Sequence, residues 1–417
     1  THPSGPSMIM LTTPWKMVTP LSEWIKLNPY LRGPAKPRPS IVEPRIHRRR
    51  SMIKLDQSSV PFLFKILSVR TALSIQAHPD KLLAAELHQK HPDHYKDDNH
   101  KPEMAVAITP FEALCSFQPA YSICCNCRAT PELMAVIGEK CVRELEDAVG
   151  VRESEPAGVK SALQGLFSTL INASAESVKA HLTQLVTRIE STNRMLRSPV
   201  DELALRLYEQ YAGDVGVFCV YLLNYRCLQP GEALYLGANE PHAYIYGDCA
   251  EVMATSDNVV RAGLTPKWKD VHTLCSCLTY YDGAPHVVEP TQTDPNEPHV
   301  WRYQTPADEF VLDRVQMQEG QRARLSSCRG LAILIVVSGS ISVEQIADTR
   351  GDYTPTEAGN FRSFLSAGAV HLVCPNTALE MSAQHGELLA FRATAPEVVG
   401  SPDPLGALSL RSDLSLP

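Results

Sequence analysis

The feature that most constrains the fold is a stretch of helical periodicity that separates two regions of short strands. Between residues 109 and 213, apolar residues recur at intervals of three and four, and Val159, Leu163 and Leu166 mark one face of a predicted helix. On both sides of this stretch, apolar runs of strand length alternate with glycine and proline turns. The pattern predicts a mainly β protein of barrels or sandwiches, with an all-helical domain inserted into the first β domain.

The predicted domain boundaries follow from the positions of the strands. We predict strands at residues 60–69, 72–78, 216–223, 232–236, 242–246, 251–253, 331–337, 340–343, 369–374 and 387–392. Residues 285–306 are rich in proline and predict a linker. The sequence therefore predicts a first β domain of residues 1–110 and 214–284, a helical insertion of residues 111–213, and a C-terminal β domain of residues 285–417.

Composition and charge exclude several classes of protein. The chain has 417 residues, of which 44% are hydrophobic, and it contains no apolar run of ~18 residues that would predict a membrane span. Its start lacks the basic flank and apolar run of a secretory signal. A net charge of −7 gives no general attraction to nucleic acid, so we expect no such partner. We interpret the basic run at residues 45–50 as a solvated loop rather than a nucleic-acid patch.

The cysteines indicate a reducing environment. Twelve cysteines are too sparse for a disulfide framework in a chain of this length, and we interpret them as reduced thiols of a cytoplasmic protein. Cys124, Cys125 and Cys127 look like half of a structural zinc site. They lack a second Cys or His pair at the spacing of a zinc finger, so we expect no zinc there.

Two motifs in the strand-rich regions offer candidate metal ligands. Gln76 and His78 are two residues apart on a predicted strand, so their side chains project from the same face. Taken alone, they are either an ordinary half-buried pair or two ligands of one ion. In the second motif, a predicted strand ends at Leu236 and a return strand begins at His242, so that a hairpin would deliver this histidine to the mouth of a barrel.

A third motif adds a carboxylate to these candidates. His100, Lys101 and Glu103 place an imidazole, an ammonium group and a carboxylate within four residues, although the segment alone is also compatible with the polar end of a loop. The three motifs together supply nitrogen and oxygen donors suited to a divalent metal, and the imidazoles favour zinc. The four predicted ligands are Gln76, His78, Glu103 and His242.

Charged residues follow the predicted strand at residues 251–253. Asp257 supplies an acid, and the planar guanidinium of Arg261 suits a phosphate or an enediolate oxygen. Several cations could concentrate positive charge locally on a chain that is negative overall, namely Lys65, Lys81, Lys101, Arg261 and Lys267.

Three of these segments, in this order, resemble the signatures of type I mannose-6-phosphate isomerases (phosphomannose isomerases). They are residues 74–81, residues 100–104 and residues 235–267, and with the helical stretch and the C-terminal strands the resemblance extends from about residue 60 to the end. It implies two cupin-type (jelly-roll) β-barrels with an all-α domain inserted in the first. It also implies a zinc-dependent aldose–ketose isomerase that interconverts mannose 6-phosphate and fructose 6-phosphate. Such an enzyme would act in the cytoplasm as a monomer and would supply GDP-mannose synthesis and protein glycosylation.

The resemblance also implies roles for individual residues. One zinc ion per chain would be bound by Gln76, His78, Glu103 and His242, and Arg261 would be the catalytic arginine. Active-site positions of the family fall on Lys65, His100, Lys101, Glu251 and Asp257. Glu251, Asp257, His100 and Lys101 are all candidates for the base, Lys101 is also a candidate for ring opening, and Lys65 and Lys81 are candidates for phosphate binding. Around His371, in the second predicted barrel, we find no equivalent ligand set and interpret that barrel as structural.

The sequence also departs from the family pattern near its start. We find no counterpart for the family's N-terminal strands and Trp-Gly motif, nor for residues 29–50. The alternative interpretation is therefore a catalytically impaired homologue that binds metal or sugar phosphate. An iron-dependent cupin oxygenase is a further alternative, against which the glutamine ligand and the lysines argue.

Overall fold

The computed structural model describes residues 60–151, 156–292, 294–328, 330–347, 361–373, 375 and 377–396, together with two short strands near the start. These strands, Met8–Met10 (β1) and Val18–Pro20 (β2), pair antiparallel. The chain divides into two compact units, one of residues 62–291 and 303–305 and one that contains the C-terminal strands. No helix in these described ranges is both long and apolar enough to cross a membrane.

Most strands of the first unit lie before or after its main helical stretch in the chain. The strands are Phe62–Val69 (β3), Ile75–Ala77 (β4), Glu103–Ala107 (β5), Phe111–Phe117 (β6), Leu223–Leu228 (β7), Ala233–Leu236 (β8), His242–Ala254 (β9), Val260–Gly263 (β10) and Val287–Val288 (β11). The sheet runs in the order β10-β4-β9-β5-β8-β11, with β3 on β9 and with β6 pairing both β7 and β9. The pairs named here are antiparallel.

Most helices of this unit lie within the predicted helical block, but the first and the last, at residues 81–90 and 271–277, lie outside it and were not predicted. The helices are Lys81–Lys90 (α1), Ala120–Ala129 (α2), Pro131–Ile137 (α3), Glu139–Gly150 (α4), Pro156–Ile171 (α5), Ala175–Ser191 (α6), Pro199–Gln210 (α7) and Val271–Cys277 (α8), with 3₁₀ turns at Arg194–Leu196 and Val215–Tyr221. The predicted helix face of Val159, Leu163 and Leu166 is buried in the core. Ser198 is the N-cap residue of α7 and forms a reciprocal capping box with Asp201. These bonds satisfy backbone N–H groups at the start of the helix that have no partner within it.

β9 is a single bent strand where the sequence predicts two. Its first half pairs with β4 and β6, and its second half pairs with β3 and β5. Gly247 lies at the bend with a φ of 107°, and a Cβ there would lie 2.4 Å from the Pro110 carbonyl oxygen. Only glycine satisfies both the left-handed backbone and this close approach. The bend lets one strand belong to two parts of the sheet.

Four other expectations about the first unit need correction. Residues 111–117, predicted as the start of the helical insertion, form strand β6, so the helices begin at Ala120. Residues 216–223, predicted as a strand, are mostly 3₁₀ helix. The sequence does not distinguish the two structures here, because a continuous buried apolar run has neither the period of a strand nor that of a helix. β8 and β9 are not a hairpin, since β5 lies between them. The predicted linker at 285–306 contains β11 and a further strand, Val300–Tyr303 (β12).

The C-terminal strands form a separate antiparallel sheet. After β12 they are Val311–Met317 (β13), Arg322–Leu325 (β14), Ala332–Ala347 (β15), Phe361–Ser366 (β16), Val370–Val373 (β17) and Thr377–Thr394 (β18), in the order β12-β13-β18-β15-β16. Buried Asp313 bonds to both Arg302 and Arg392, at 2.7 Å and 2.6 Å respectively. His371 contacts the Gln345 amide at 2.9 Å. Within the described residues of this sheet, no set of His, Cys, Asp or Glu side chains converges as metal ligands would.

Candidate active site

The first row of site residues crosses three neighbouring strands. Arg261 on β10 lies opposite Gln76 on β4, and Gln76 lies opposite His242 on β9. Residues directly opposite each other in a sheet project from the same face. The three side chains therefore share one face of the sheet, although they are distant in the sequence.

A second row runs across β5, β9 and β3. Glu103 lies opposite Met253, and Lys65 lies opposite Glu251. Met253 and Glu251 are two residues apart on β9, so all four side chains project from one face. The carboxylate of Glu251 forms an ion pair with the ammonium group of Lys65 at 2.7 Å.

The two rows meet at a buried group of His78, Glu103 and His242. The Nε2 atom of His78 lies 3.2 Å from Glu103 Oε1, and the Nε2 atom of His242 lies 3.4 Å from Glu103 Oε2. The donor atoms of the three residues lie within 4.8 Å of one another, and no other such group occurs in the part of the chain that the structure describes. This is the donor chemistry that a divalent metal requires.

The predicted fourth ligand, Gln76, lies at the edge of this group. Its Nε2 atom is 3.5 Å from the His78 Nε2 atom, and its Oε1 atom accepts a hydrogen bond from Ser74 at 3.1 Å. A metal would need the amide oxygen. Rotation of the amide by half a turn brings that oxygen to the side of His78 without moving the backbone.

Backbone carbonyls orient both imidazoles toward Glu103. The Nδ1 atom of His78 donates to the Asn258 carbonyl oxygen at 2.7 Å, and that of His242 donates to the Glu240 carbonyl oxygen at 2.9 Å. A carbonyl can only accept, so the ring proton sits on Nδ1 and each Nε2 presents a lone pair. This tautomer is the one in which a histidine binds metal through Nε2.

Two buried atoms of this group have no hydrogen-bond partner. They are Glu103 Oε2 and His242 Nε2. An unsatisfied buried polar atom costs about 1–3 kcal/mol, so native proteins rarely keep one without a reason. A metal ion between the two atoms would satisfy both, and the residues present therefore fit a divalent metal.

The electrostatics of the group also suit a metal. Burial lowers the pKa of His78, which keeps the imidazole neutral as a ligand must be. Burial alone would raise the pKa of Glu103, but the neighbouring His78 and Lys101 outweigh it and hold that pKa well below its ordinary value. Lys101 Nζ lies 3.3 Å from Glu103 Oε1. Glu103 therefore stays an anion.

The other predicted residues differ in their surroundings. Burial raises the pKa of Glu251, and the neighbouring charge of Glu103 raises it further. Arg261 is half-buried, and burial lowers the pKa of its guanidinium. His100 is partly buried, whereas Asp257 and Lys81 are exposed and Lys81 is the first residue of α1.

The structure also bears on two other sequence interpretations. Cys124 and Cys127 are buried on α2 while Cys125 is exposed, and none of them belongs to the metal-capable group. The basic run at residues 45–50 lies outside the described residues.

Sequence reasoning missed two residues at this site. Tyr244 is buried, its ring centroid is 6.3 Å from that of His242, and its hydroxyl has no hydrogen-bond partner. Burial, with the charges of Glu251 and Glu103, raises its pKa well above the ordinary value. The sequence could have identified Tyr244, because a residue two positions after His242 on a strand projects from the same face as His242. No sequence pattern points to Asn258, which orients His78 through its backbone carbonyl.

Comparison with known proteins places this arrangement in a family. The model of the phosphomannose isomerase type I catalytic domain matches residues 40–120, and the model of the helical insertion domain of the same family matches residues 136–223. Mannose-6-phosphate isomerase 1 of Arabidopsis thaliana is 42% identical over 352 residues, which cover 84% of this chain and 76% of the relative. The chain belongs to the type I phosphomannose isomerase family.

Other members of the family agree with this assignment. The mannose-6-phosphate isomerase of Homo sapiens is 39% identical over 342 residues, covering 80% of this chain and 77% of that protein. A crystal structure of a histidine-to-glutamine mutant of phosphomannose isomerase from Salmonella typhimurium superposes with a TM-score of 0.71 at 25% identity, covering 94% of this chain and 89% of that one. A zinc-bound mannose 6-phosphate isomerase superposes with a TM-score of 0.71 at 24% identity, covering 95% and 89%.

These matches confirm the predicted fold class, a mainly β phosphomannose isomerase fold with an inserted helical domain. They also correct one expectation. The catalytic-domain match begins at residue 40 and so includes residues 40–50, for which the sequence analysis found no family counterpart.

Proposed function

We propose that the protein is a zinc-dependent mannose-6-phosphate isomerase that interconverts mannose 6-phosphate and fructose 6-phosphate. Curated relatives of that name, about two-fifths identical to this chain, support the reaction. The observation that carries the proposal is the buried group of His78, Glu103 and His242, with both Nε2 lone pairs turned toward the carboxylate. Zinc held by these three residues and Gln76 would supply Lewis acidity toward the sugar oxygens.

The reaction moves a proton between C1 and C2 through a cis-enediol, which requires a base and a cation for the developing negative charge. Arg261 shares a face with Gln76 and His242, so its guanidinium is our candidate for stabilising the enediolate oxygen. A half-buried cation interacts more strongly with such a charge than an exposed one, because water screens it less.

The base is proposed from four candidates. Proton transfer is most effective when the pKa of the base lies near the working pH. Among Glu251, Asp257, His100 and Lys101, Glu251 is the carboxylate that is buried and whose pKa is raised. It also shares a face with Glu103. We therefore favour Glu251 as the group that accepts the carbon-bound proton.

The lysines are assigned to ring opening and phosphate binding. Lys101 lies beside Glu103 and is mostly buried, which favours it for proton transfer to the ring oxygen. Lys65 already pairs with Glu251. Lys81 is exposed at the start of α1, where a phosphate in solvent reaches it directly, and it is our preferred phosphate ligand. Lys101 and Lys81 would then contact opposite ends of the substrate.

The function is tested by a coupled assay of the purified chain. Metal is removed with a chelator, and activity is measured before removal, after removal and after zinc is restored. We expect conversion of mannose 6-phosphate that is lost without metal and regained with zinc. A folded, zinc-loaded chain without conversion above background would contradict the proposal and support the impaired, ligand-binding homologue.

We infer that the product supplies GDP-mannose synthesis and glycosylation, and that the protein acts as a monomer in the cytoplasm. The described cysteines are free thiols, which supports a reducing compartment. Fractionation of cells and light scattering of the purified protein test the compartment and the oligomeric state.

A further inference from the structure

A short polar segment, residues 97–99, holds the loop that precedes β10. The two oxygens of the Asp97 carboxylate accept hydrogen bonds from different parts of this loop. Oδ1 accepts from the Ser256 hydroxyl at 2.8 Å and from the Asn258 amide at 3.2 Å. Oδ2 accepts from the backbone N–H of Asp257 at 2.8 Å. One side chain therefore binds three consecutive residues of the loop.

The rest of the segment adds further bonds to the same loop. The Asn258 amide also donates to the carbonyl oxygens of Asp97 and Asn99, at 2.7 Å and 3.0 Å. The Asn99 amide donates to the Thr255 carbonyl at 3.0 Å, and the Ser256 hydroxyl lies 3.0 Å from the Asn99 carbonyl. Asn258 is completely buried. We call residues 97–99 and 255–258, joined by these bonds, the loop clamp.

The loop clamp touches the metal-capable group at one point. The backbone carbonyl of Asn258 accepts the Nδ1 proton of His78 at 2.7 Å, and this bond sets the tautomer and the orientation of the imidazole. The clamp also joins two segments of the site. Lys101 and Glu103 follow Asn99 in the chain, and Arg261 follows Asn258.

We propose that Asp97 is a positioning residue of the isomerase site. It fixes the 255–258 loop so that the Asn258 carbonyl stays against His78 and so that Asp257 and Arg261 keep their places. Hydrogen bonds to a carboxylate are stronger than those between neutral groups, which suits Asp97 to this task. The inference rests on the proposed function for its effect on turnover, but its effect on metal affinity is independent of the reaction.

The test compares three variants. Asp97→Ala removes every bond of the carboxylate. Asp97→Asn keeps an oxygen acceptor for Ser256 and Asn258 but presents an N–H group to the N–H of Asp257. The matched control is Asp98→Asn, which removes the same charge from an exposed neighbouring side chain.

Two readouts are measured for each variant. Zinc affinity is obtained by competition with a chromophoric chelator, and kcat and KM are obtained at saturating zinc. Outer-shell partners of metal ligands typically change affinity or activity about 10- to 100-fold, and we expect a loss of that size for Asp97→Ala. We expect Asp97→Asn to fall between Asp97→Ala and the wild type, with kcat lowered and KM little changed. Asp98→Asn should match the wild type.

The outcomes separate this inference from the proposed function. If both Asp97 variants match Asp98→Asn in zinc affinity and kcat, or if they lose only thermal stability, the positioning role is overturned. If Asp97→Ala does not fold, the zinc affinity and kcat of Asp97→Asn alone test the positioning role. A wild-type chain without isomerase activity whose zinc affinity still depends on Asp97 would refute the proposed function and uphold the clamp.

Discussion

Replacement of Arg261 by alanine tests the proposed chemistry most sharply among single substitutions. Arg261 is half-buried on the same face as Gln76 and His242, and this partial burial lowers the pKa of its guanidinium. Loss of one preorganised donor to a developing oxyanion lowers kcat about 100- to 1,000-fold, or about 2.7–4 kcal/mol. We expect Arg261→Ala to fall within that range, because partial burial reduces the screening of the Arg261 charge by water.

The assay measures kcat, KM and bound zinc on the same preparations of wild type, Arg261→Ala and Arg261→Lys. The lysine variant keeps the charge but loses the planar fork, so its kcat should lie between the other two. Zinc content should remain at the wild-type value, because Arg261 is not a predicted ligand. An unchanged kcat in Arg261→Ala, or a fall in kcat that merely follows a loss of zinc, would refute the assignment.

Three further predictions concern the metal group and the two units. His242→Ala should lower bound zinc, measured by elemental analysis after dialysis, because it removes one of the three converging donors. Burial alone would raise the pKa of Asp313, but the charges of Arg392 and Arg302 outweigh it and hold that pKa below its ordinary value. The folded pKa thus lies below the unfolded value, so this stabilisation is complete above about pH 4 and is lost as the pH falls through the folded pKa, as acid unfolding followed by circular dichroism should show. Gly247→Ala should destabilise the first unit by about 1–3 kcal/mol in chemical denaturation, because of its left-handed backbone and its contact with Pro110.

Matched variants sharpen these three measurements. Gly165→Ala, in α5, is the control for Gly247→Ala, because a Cβ there meets nothing within 4 Å and the change should be neutral or stabilising. Asp313→Asn should make the stability of the folded protein less dependent on pH in the acid range. An unaltered acid transition would contradict the role of this carboxylate. Full zinc occupancy in His242→Ala would remove this histidine from the ligand set.

The sequence predicts those parts of the fold that local periodicity determines. Val178, Leu182 and Leu185 recur at helical spacing and are buried on α6, as a period of 3.6 residues requires. The 3₁₀ helix at residues 215–221 carries no such period, because every residue in it is buried, and the sequence therefore predicts a strand at residues 216–223 instead. The position of β5 between β8 and β9 also left no local signal, since strand order depends on contacts between distant segments.

The candidate site shows the same division. Residue chemistry and family resemblance select His78, Glu103 and His242 before any coordinates are considered, and the structure brings their donor atoms together. The residues that position these ligands could not be predicted in the same way. Asn258 acts on His78 through its backbone carbonyl, and a main-chain acceptor can belong to any residue type. Asp97 is one acidic residue in a polar loop, and only the folded chain shows that it holds residues 256–258.

X-ray absorption at the zinc edge of the purified protein shows whether His78, Glu103, His242 and Gln76 bind one zinc ion. We expect one zinc per chain surrounded by nitrogen and oxygen atoms at about 2.0–2.2 Å. A sulfur shell at about 2.3 Å would place the metal on cysteines instead, and a folded chain that binds no zinc at all would likewise refute this ligand set.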